Sequence, residues 1–233
     1  MPSRKTKPQG PGYYPGYRCL DNAAAWDEAT RRTVLARLEP HGPLRFFTPE
    51  VEPLWRAVIA RMMPQDDRDP ELRIPVLEVI DQRLAEGRIE GYRYEDMPPD
   101  GEAYRLAGKG IEEIAHALFG RSFVDLNGIQ QDRVLLAIHD AKPPEPAPTW
   151  RRLPADRFWR ILMDDVLAAY YEHPYAWDEI GFGGPAYPKG YMRLDHGEPE
   201  PWEKPERRYG FAAPADSLSG ACTPLGKMPR PKS

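Results

Sequence analysis

The chain has 233 residues, enough for one compact domain with extensions or for two small ones. Its 32 basic and 36 acidic residues nearly balance, and no basic stripe with interleaved aromatic residues is present, which argues against a nucleic-acid surface. The longest apolar stretch is too short to span a membrane, so direct membrane insertion is not expected. With 28 Pro and 19 Gly unevenly placed, the composition predicts compact helices alternating with extended arms.

Residues 1–20 are predicted to form an extended arm rich in Tyr, Pro and Gly. Pro lacks the N–H donor that a helix interior needs, and Gly costs backbone entropy, so the run from Gly10 to Tyr17 is not expected to be helical. A short first helix is predicted over 23–38, because Trp26 and Val34 share one face there.

The clearest predicted helix runs from Thr48 to Pro64. Thr48 is a favoured N-cap residue, and Pro49 lies in the first turn, where its missing N–H does no harm. Pro53 is awkward so early in a helix and is expected to tighten or bend its first turn. Apolar residues then recur at the spacing of a core-facing stripe: Val51, Leu54, Trp55, Val58, Ile59 and Met62.

Further helices with the same apolar spacing follow, separated by stop signals and by a proline-rich loop at 141–149. Their predicted limits are Pro75 to Gly87, 101–119 with Gly120 as the stop, a start at Asp125 or Asn127, and Pro154 to His173. The sequence therefore predicts an all-α protein, with five to six helices in one irregular bundle and long extended arms at both ends.

The predicted domain organisation follows from where the helical period ends. No period is visible beyond His173, yet the segment is too rich in aromatic residues to be disordered throughout. We predict an extended arm at 1–20, a helical domain at 21–173, an ordered aromatic-rich loop arm at 174–209 and a flexible tail at 210–233. Its Gly and Pro residues prevent the aromatic-rich arm from building a core alone, which indicates an obligate partner.

Few residues suggest chemistry. The glycine cluster at 181–186 contains Pro185 and lacks a preceding strand and a following helix, so it is interpreted as a tight turn and not as a nucleotide loop. His173 could form a small carboxylate–imidazole site with Glu172, Asp178 and Glu179. The interpretation we favour is that His173 caps the C-terminus of its helix, where the helix dipole favours a cation.

Asp165 lies on an apolar helix face, which favours a buried hydrogen bond to a loop backbone over a catalytic role. Cys19 and Cys222 could join the two arms in one disulfide, although two unbonded thiols are favoured because no export signal is recognised. A cytoplasmic location is expected, or a periplasmic one only if a signal-bearing partner carries the chain out.

Residues 170–191 read YYEHPYAWDEIGFGGPAYPKGY, and a PWE tripeptide follows at 201–203. The stretch 45–50 reads RFFTPE. A third characteristic group consists of Met63-Pro64-Gln65, Ile74-Pro75-Val76 and Asp81. Together these pieces resemble the gluconate 2-dehydrogenase subunit 3 family, over about residues 13–203.

The resemblance implies a non-catalytic small subunit that binds and stabilises a larger FAD-dependent dehydrogenase of the GMC type, which oxidises sugars, sugar acids or glycosides. FAD and the catalytic residues would belong to that partner, and an electron-accepting cytochrome would be a further one. This chain would hold no catalytic, cofactor-binding or metal residue. The alternatives are a small stand-alone sugar-modifying enzyme and a transient assembly chaperone. Many relatives begin with a twin-arginine signal, whereas this sequence is not expected to carry one.

The C-terminal aromatic residues predict the interface with the partner, because Tyr and Trp are enriched in interface cores. The glycines among them allow a close backbone approach. The predicted interface residues are Tyr171, His173, Tyr175, Trp177, Phe182, Gly183, Gly184, Tyr187, Tyr191 and Trp202. Trp177 is expected to be an anchor whose loss weakens the complex and leaves the helices folded.

Overall fold

The computed structural model describes residues 18–89, 91 and 94–185. Seven α-helices lie in this part: α1 Glu28–Ala36, α2 Glu52–Met62, α3 Val76–Ala85, α4 Asp100–Phe119, α5 Gly128–His139, α6 Ala155–Tyr171 and α7 Pro174–Ile180. Short 3-10 segments lie at Cys19–Ala25, Pro70–Leu72, Phe123–Asp125 and Pro148–Arg151. The described residues contain no strand, so the predicted all-α class is confirmed. None of their helices has the length and apolar content needed to cross a membrane.

The chain divides into two compact units. The larger one consists of residues 32–176, and the described part of the smaller one combines 18–31 with 177–185. In the larger unit α4 packs against α3, α5 and the turn at 148–151, while α6 packs against α3 and α5.

Buried aromatic rings form the centre of the larger unit. The Tyr104 ring lies 5.1 Å from that of Trp55 and 5.4 Å from that of Phe158, measured between centroids. None of the three residues is more than 2% exposed. Such tilted and edge-on arrangements are favoured by the ring quadrupoles, so α2, α4 and α6 meet through a preferred aromatic geometry.

The predicted limits of several helices are confirmed. Asn127 caps α5, since its side chain accepts from the N–H of Gln130 and the Gln130 side chain accepts in return from the Asn127 N–H. Gly120 has the left-handed conformation, with φ of 65°, that terminates α4. Gly87 has the same conformation two residues after α3 ends.

The single helix predicted over 23–38 is wrong, because two segments lie there. Trp26 is extended, with φ of −82° and ψ of 152°, and it separates the 3-10 segment Cys19–Ala25 from α1. The Asp27 carboxylate accepts a hydrogen bond from the Thr30 N–H at 2.9 Å, as an N-cap residue does. A cap in the middle of an apolar pattern therefore starts a new helix.

The prediction of Thr48 as the N-cap of α2 is also wrong. Its carbonyl accepts from the N–H groups of Val51 and Glu52 at 3.0 and 2.9 Å, which forms a separate turn before the helix. Pro53 consequently occupies the first helical turn, where an N–H would have no acceptor within the helix. The later start places Pro53 where a helix tolerates proline.

A buried carboxylate holds the segment that precedes this turn. Asp81 on α3 is 3% exposed and accepts three backbone hydrogen bonds, from the N–H groups of Arg45, Phe46 and Phe47 at 2.7, 2.9 and 2.8 Å. The clamp places the Phe47 ring 5.4 Å from that of Trp55. Charge-assisted bonds of this kind are among the stronger ones in proteins, so they position the aromatic residues at the edge of the core.

A second buried carboxylate, Asp165 on α6, joins three helices. It accepts from the Arg83 guanidinium on α3 at 2.5 Å and from the Tyr104 hydroxyl on α4 at 2.6 Å. Arg83 also donates to Asp100 at 2.7 Å. The prediction that Asp165 accepts a hydrogen bond from a loop backbone is therefore wrong. Its partners are side chains of the neighbouring helices α3 and α4. Burial raises the pKa of the Asp165 carboxyl, while the bonds from Tyr104 and Arg83 act against that rise.

Replacing Asp165 by Asn is expected to lower the free energy of unfolding by about 3 kcal/mol, because it removes a charge that compensates buried Arg83. The neighbouring Asp164 is exposed, so Asp164→Asn is the matched control and should change stability by about 0.5 kcal/mol or less. Urea unfolding followed by circular dichroism measures both. Equal effects of the two substitutions would contradict the network as the link between these helices.

Two glycines on α4 should respond to Ala in opposite directions. A Cβ on Gly110 would lie 2.6 Å from the Trp150 ring, whose indole N–H donates to the Gly110 carbonyl at 2.9 Å, whereas a Cβ on Gly108 would make ordinary contacts at 3.6 Å. Gly110→Ala is expected to destabilise the protein by about 2 kcal/mol through overpacking. Gly108→Ala should stabilise it by up to about 1 kcal/mol, through lower backbone entropy in the unfolded chain. Urea midpoints that shift in the same direction would refute this packing.

Candidate partner interface

The predicted interface residues fall on both sides of the described limit. Tyr187, Tyr191 and Trp202 lie outside the described residues, as does Cys222. The remaining ones lie between the last turn of α6 and Gly184.

The first part of the predicted loop arm is a helix, α7, so the prediction of loop at 174–180 is wrong. Pro174 occupies its first position, where a missing N–H has no consequence. A helix of seven residues is less than two turns long, and it is therefore too short to show an apolar period in the sequence.

His173 lies between α6 and α7 and is 5% exposed. Its Nδ1 accepts a hydrogen bond from the Tyr175 backbone N–H at 3.2 Å, which satisfies a donor in the first turn of α7. The His173 and Tyr175 rings are 4.7 Å apart between centroids. An imidazole that accepts in this way is neutral, because the protonated ring has only donors.

The interpretation of His173 as a cationic cap is therefore wrong. Burial, together with the nearby charge of Arg68, lowers the pKa of His173 to about 4. The cation at the end of α6 is Arg37, whose guanidinium donates to the Glu172 carbonyl at 2.8 Å. An arginine far away in the sequence thus fills the role that the helix dipole predicted for the adjacent histidine.

This pKa predicts acid sensitivity. In the unfolded chain His173 binds a proton below about pH 6.5, whereas in the folded chain it does so only near 4. Its contribution to stability is complete above pH 6.5 and is lost as the pH falls towards 4, by about 3 kcal/mol in total. The pH dependence of urea midpoints between pH 4 and 7 should therefore be shallower in His173→Gln. The exposed His116→Gln serves as the control, and an equal change there would contradict the assignment.

In the smaller unit the signature residues contact residues 19–26. Trp177 is 5% exposed, and its ring lies edge-on to that of Phe182, with centroids 5.3 Å apart. Gly184 is buried with φ of 86°, and a Cβ there would lie 2.5 Å from the Trp26 ring. Only Gly tolerates both this backbone and this approach. Trp177 is thus buried by its own chain, which argues against its being a free anchor whose loss leaves the fold unaffected.

Asp178 links the same two segments. Its Oδ1 accepts a hydrogen bond from the Cys19 backbone N–H at 2.8 Å, and the side chain is 8% exposed. The Gly183 carbonyl accepts from the Asn22 side chain at 3.3 Å. Burial and the Asp178 charge raise the pKa of the Cys19 thiol well above its usual range. The sequence did not indicate this pairing, since nothing local connects residues 19–26 with 177–184.

These contacts limit what the residues can do chemically. His173 is neutral and accepts a backbone hydrogen bond through Nδ1. In the smaller unit, Asp178 accepts one from the Cys19 backbone. Among the residues that the structure describes, no group of three or more His, Cys, Asp and Glu could hold a metal ion. Of the predicted interface residues between 171 and 184, Tyr171 is 45% exposed and has the clearest access to a partner. The interface itself remains a prediction.

Comparison with known proteins gives one result. The sequence profile described as Gluconate 2-dehydrogenase subunit 3 matches residues 50–184, more than half of the 233 residues. Searches among curated proteins and among solved structures found no match. The PWE tripeptide and the residues before 50 lie outside the matched region, whereas α2 to α7 lie within it. The chain therefore belongs to the gluconate 2-dehydrogenase subunit 3 family.

Proposed function

We propose that this chain is a non-catalytic small subunit that binds and stabilises a larger FAD-dependent dehydrogenase of the GMC type, acting on sugars, sugar acids or glycosides. The observation that carries the proposal is the family match over residues 50–184, because the family is described as a subunit of gluconate 2-dehydrogenase. A subunit of such a complex requires a partner, and FAD would be bound by that partner.

The polar contacts of the candidate site are consistent with this role. Its buried acceptors bind backbone N–H groups of their own chain: His173 binds that of Tyr175, and Asp178 binds that of Cys19. A catalytic group must instead be able to reach a substrate. These residues therefore support a scaffold better than they support a stand-alone enzyme.

The direct test compares the flavoprotein encoded with this chain in the presence and absence of the chain. We expect a permanent one-to-one complex by light scattering and a higher melting temperature for the flavoprotein, because a partner that binds only the folded state stabilises it. A flavoprotein that is equally stable and active alone would contradict the proposal. A complex that forms only until FAD is inserted would instead indicate an assembly chaperone.

Tyr171 provides a sharper probe of the predicted interface. If it is an interface anchor, Tyr171→Ala should weaken the complex at least tenfold, or by about 1.4 kcal/mol or more. Leu136 on α5 is 54% exposed and lies outside the predicted interface, so Leu136→Ala is the matched control. Isothermal titration with the flavoprotein measures both affinities, and an unchanged value for Tyr171→Ala would remove that residue from the interface.

A further inference from the structure

A groove of about 1020 Å³ opens between the start of α2 and one face of α4. Its apolar lining comes from residues of the Asp81 clamp and of the aromatic core: Phe46, Leu54, Trp55 and Tyr104. Tyr104 is fully buried and Trp55 is 2% exposed, so both belong to the rigid interior. Gly108 also lines the groove, and the absence of its side chain contributes to the depth.

The groove contains an indole donor that is open to solvent. Trp55 Nε1 lies beside Gly108, 3.6 Å from where a Cβ would stand. Within the described part of the chain, no acceptor is bonded to this indole N–H, and it is not among the buried polar atoms that are sealed from solvent. Water is its partner in the free protein, so an oxygen acceptor of a ligand that replaces this water would keep the hydrogen bond.

Two cations at the rim of the groove have no ion-pair partner among the described residues. Arg105 and Lys109 lie one turn apart on α4, and neither has a carboxylate within ion-pair distance among the residues described. The Arg105 guanidinium lies 4.5 Å from the Phe46 ring centroid, beside the apolar lining. A carboxylate that enters the groove would therefore meet two cations that no described residue neutralises.

Three carboxylates line the same rim, and each makes hydrogen bonds within the chain. The Glu50 side chain is hydrogen-bonded to that of Thr48. Glu112 accepts from the Phe123 backbone N–H at 3.1 Å. Glu113 accepts from the N–H and hydroxyl of Thr149 at 3.0 and 2.6 Å. These hydrogen bonds orient the carboxylates towards their own chain, although they leave the negative charges in place. Arg105 and Lys109 are the charged groups of the lining for which the described residues provide no ion pair, so they are the groups positioned to bind a carboxylate of a ligand.

We propose that the groove is the docking site for an amphipathic segment of the large subunit, which inserts an apolar side chain over Trp55 and places a carboxylate on Arg105 and Lys109. This inference rests on the proposed function and specifies where its partner binds. A rigid apolar pocket ringed by polar groups is the usual form of an interface hot spot. The chain's own residues 1–17 fit poorly, because they carry Arg4, Lys5 and Lys7 and no acidic residue.

The test uses two kinds of variant in the full chain. The first variant reverses the charge of the two rim cations by combining Arg105→Glu with Lys109→Glu. Its control makes the same change in net charge at exposed sites away from the groove, by combining Arg133→Glu with Arg152→Glu. Gly108→Met fills the groove beside Trp55, with Gly108→Ala as its control. We expect the first double variant and Gly108→Met each to weaken the complex with the flavoprotein at least tenfold, and both controls to stay within about twofold. Melting curves establish that each isolated variant is folded.

The outcomes separate the two proposals. If the wild-type chain binds the flavoprotein and the groove variants bind equally well, the groove assignment is wrong and the proposed function stands. If the wild-type chain forms no complex, both are wrong. If the groove variants change the oligomeric state of the isolated chain, the occupant is a second copy and the flavoprotein assignment is overturned. Rescue of the charge-reversed variant by lysine substitutions in the flavoprotein would identify the contacting segment.

Discussion

The larger unit depends on a buried arginine held between two carboxylates. Arg83 on α3 donates to Asp165 on α6 and to Asp100 at the start of α4, and Tyr104 donates to the same oxygen of Asp165. Burying these charges is unfavourable unless they are paired, so the pairing of Arg83 with the two carboxylates defines the relative positions of three helices. Apolar packing alone tolerates small shifts, whereas an unpaired charge in the core does not. The helices are therefore held in one register by polar contacts within an otherwise apolar core.

The residues that carry the family resemblance largely serve the chain itself. Asp81 binds three backbone N–H groups of the RFF segment, and His173 supplies an acceptor at the start of α7. Gly184 leaves room for the Trp26 ring. A run rich in Trp, Tyr and Gly suggested a surface for a partner, but several of its members are buried without one. These buried residues support the proposed role by maintaining the shape of the subunit. The exposed residues around them are the ones that would contact a partner.

Local signals in the sequence were sufficient to predict most of the helices. They were insufficient to predict the polar contacts between helices. Asn127, Gly120 and Pro154 are caps and stops whose effects act within a few residues, so they could be recognised directly. Helix α7 was missed because seven residues show no period. The partners of Asp165 and Arg37 lie 82 and 135 residues away, and no local pattern indicates them.

The buried polar contacts also explain why the groove is preformed. Tyr104 lies fully buried beneath one wall of the groove, and its hydroxyl is held by Asp165 on α6. Phe46 contributes a second wall while its backbone N–H is held by Asp81 on α3. Both walls are thus fixed from behind by charge-assisted hydrogen bonds, and neither has to be ordered when a partner arrives. Because the loss of side-chain freedom is a principal cost of association, a surface fixed in advance retains more of its contact energy as affinity. The same buried carboxylates that position the helices therefore prepare the surface proposed for the partner.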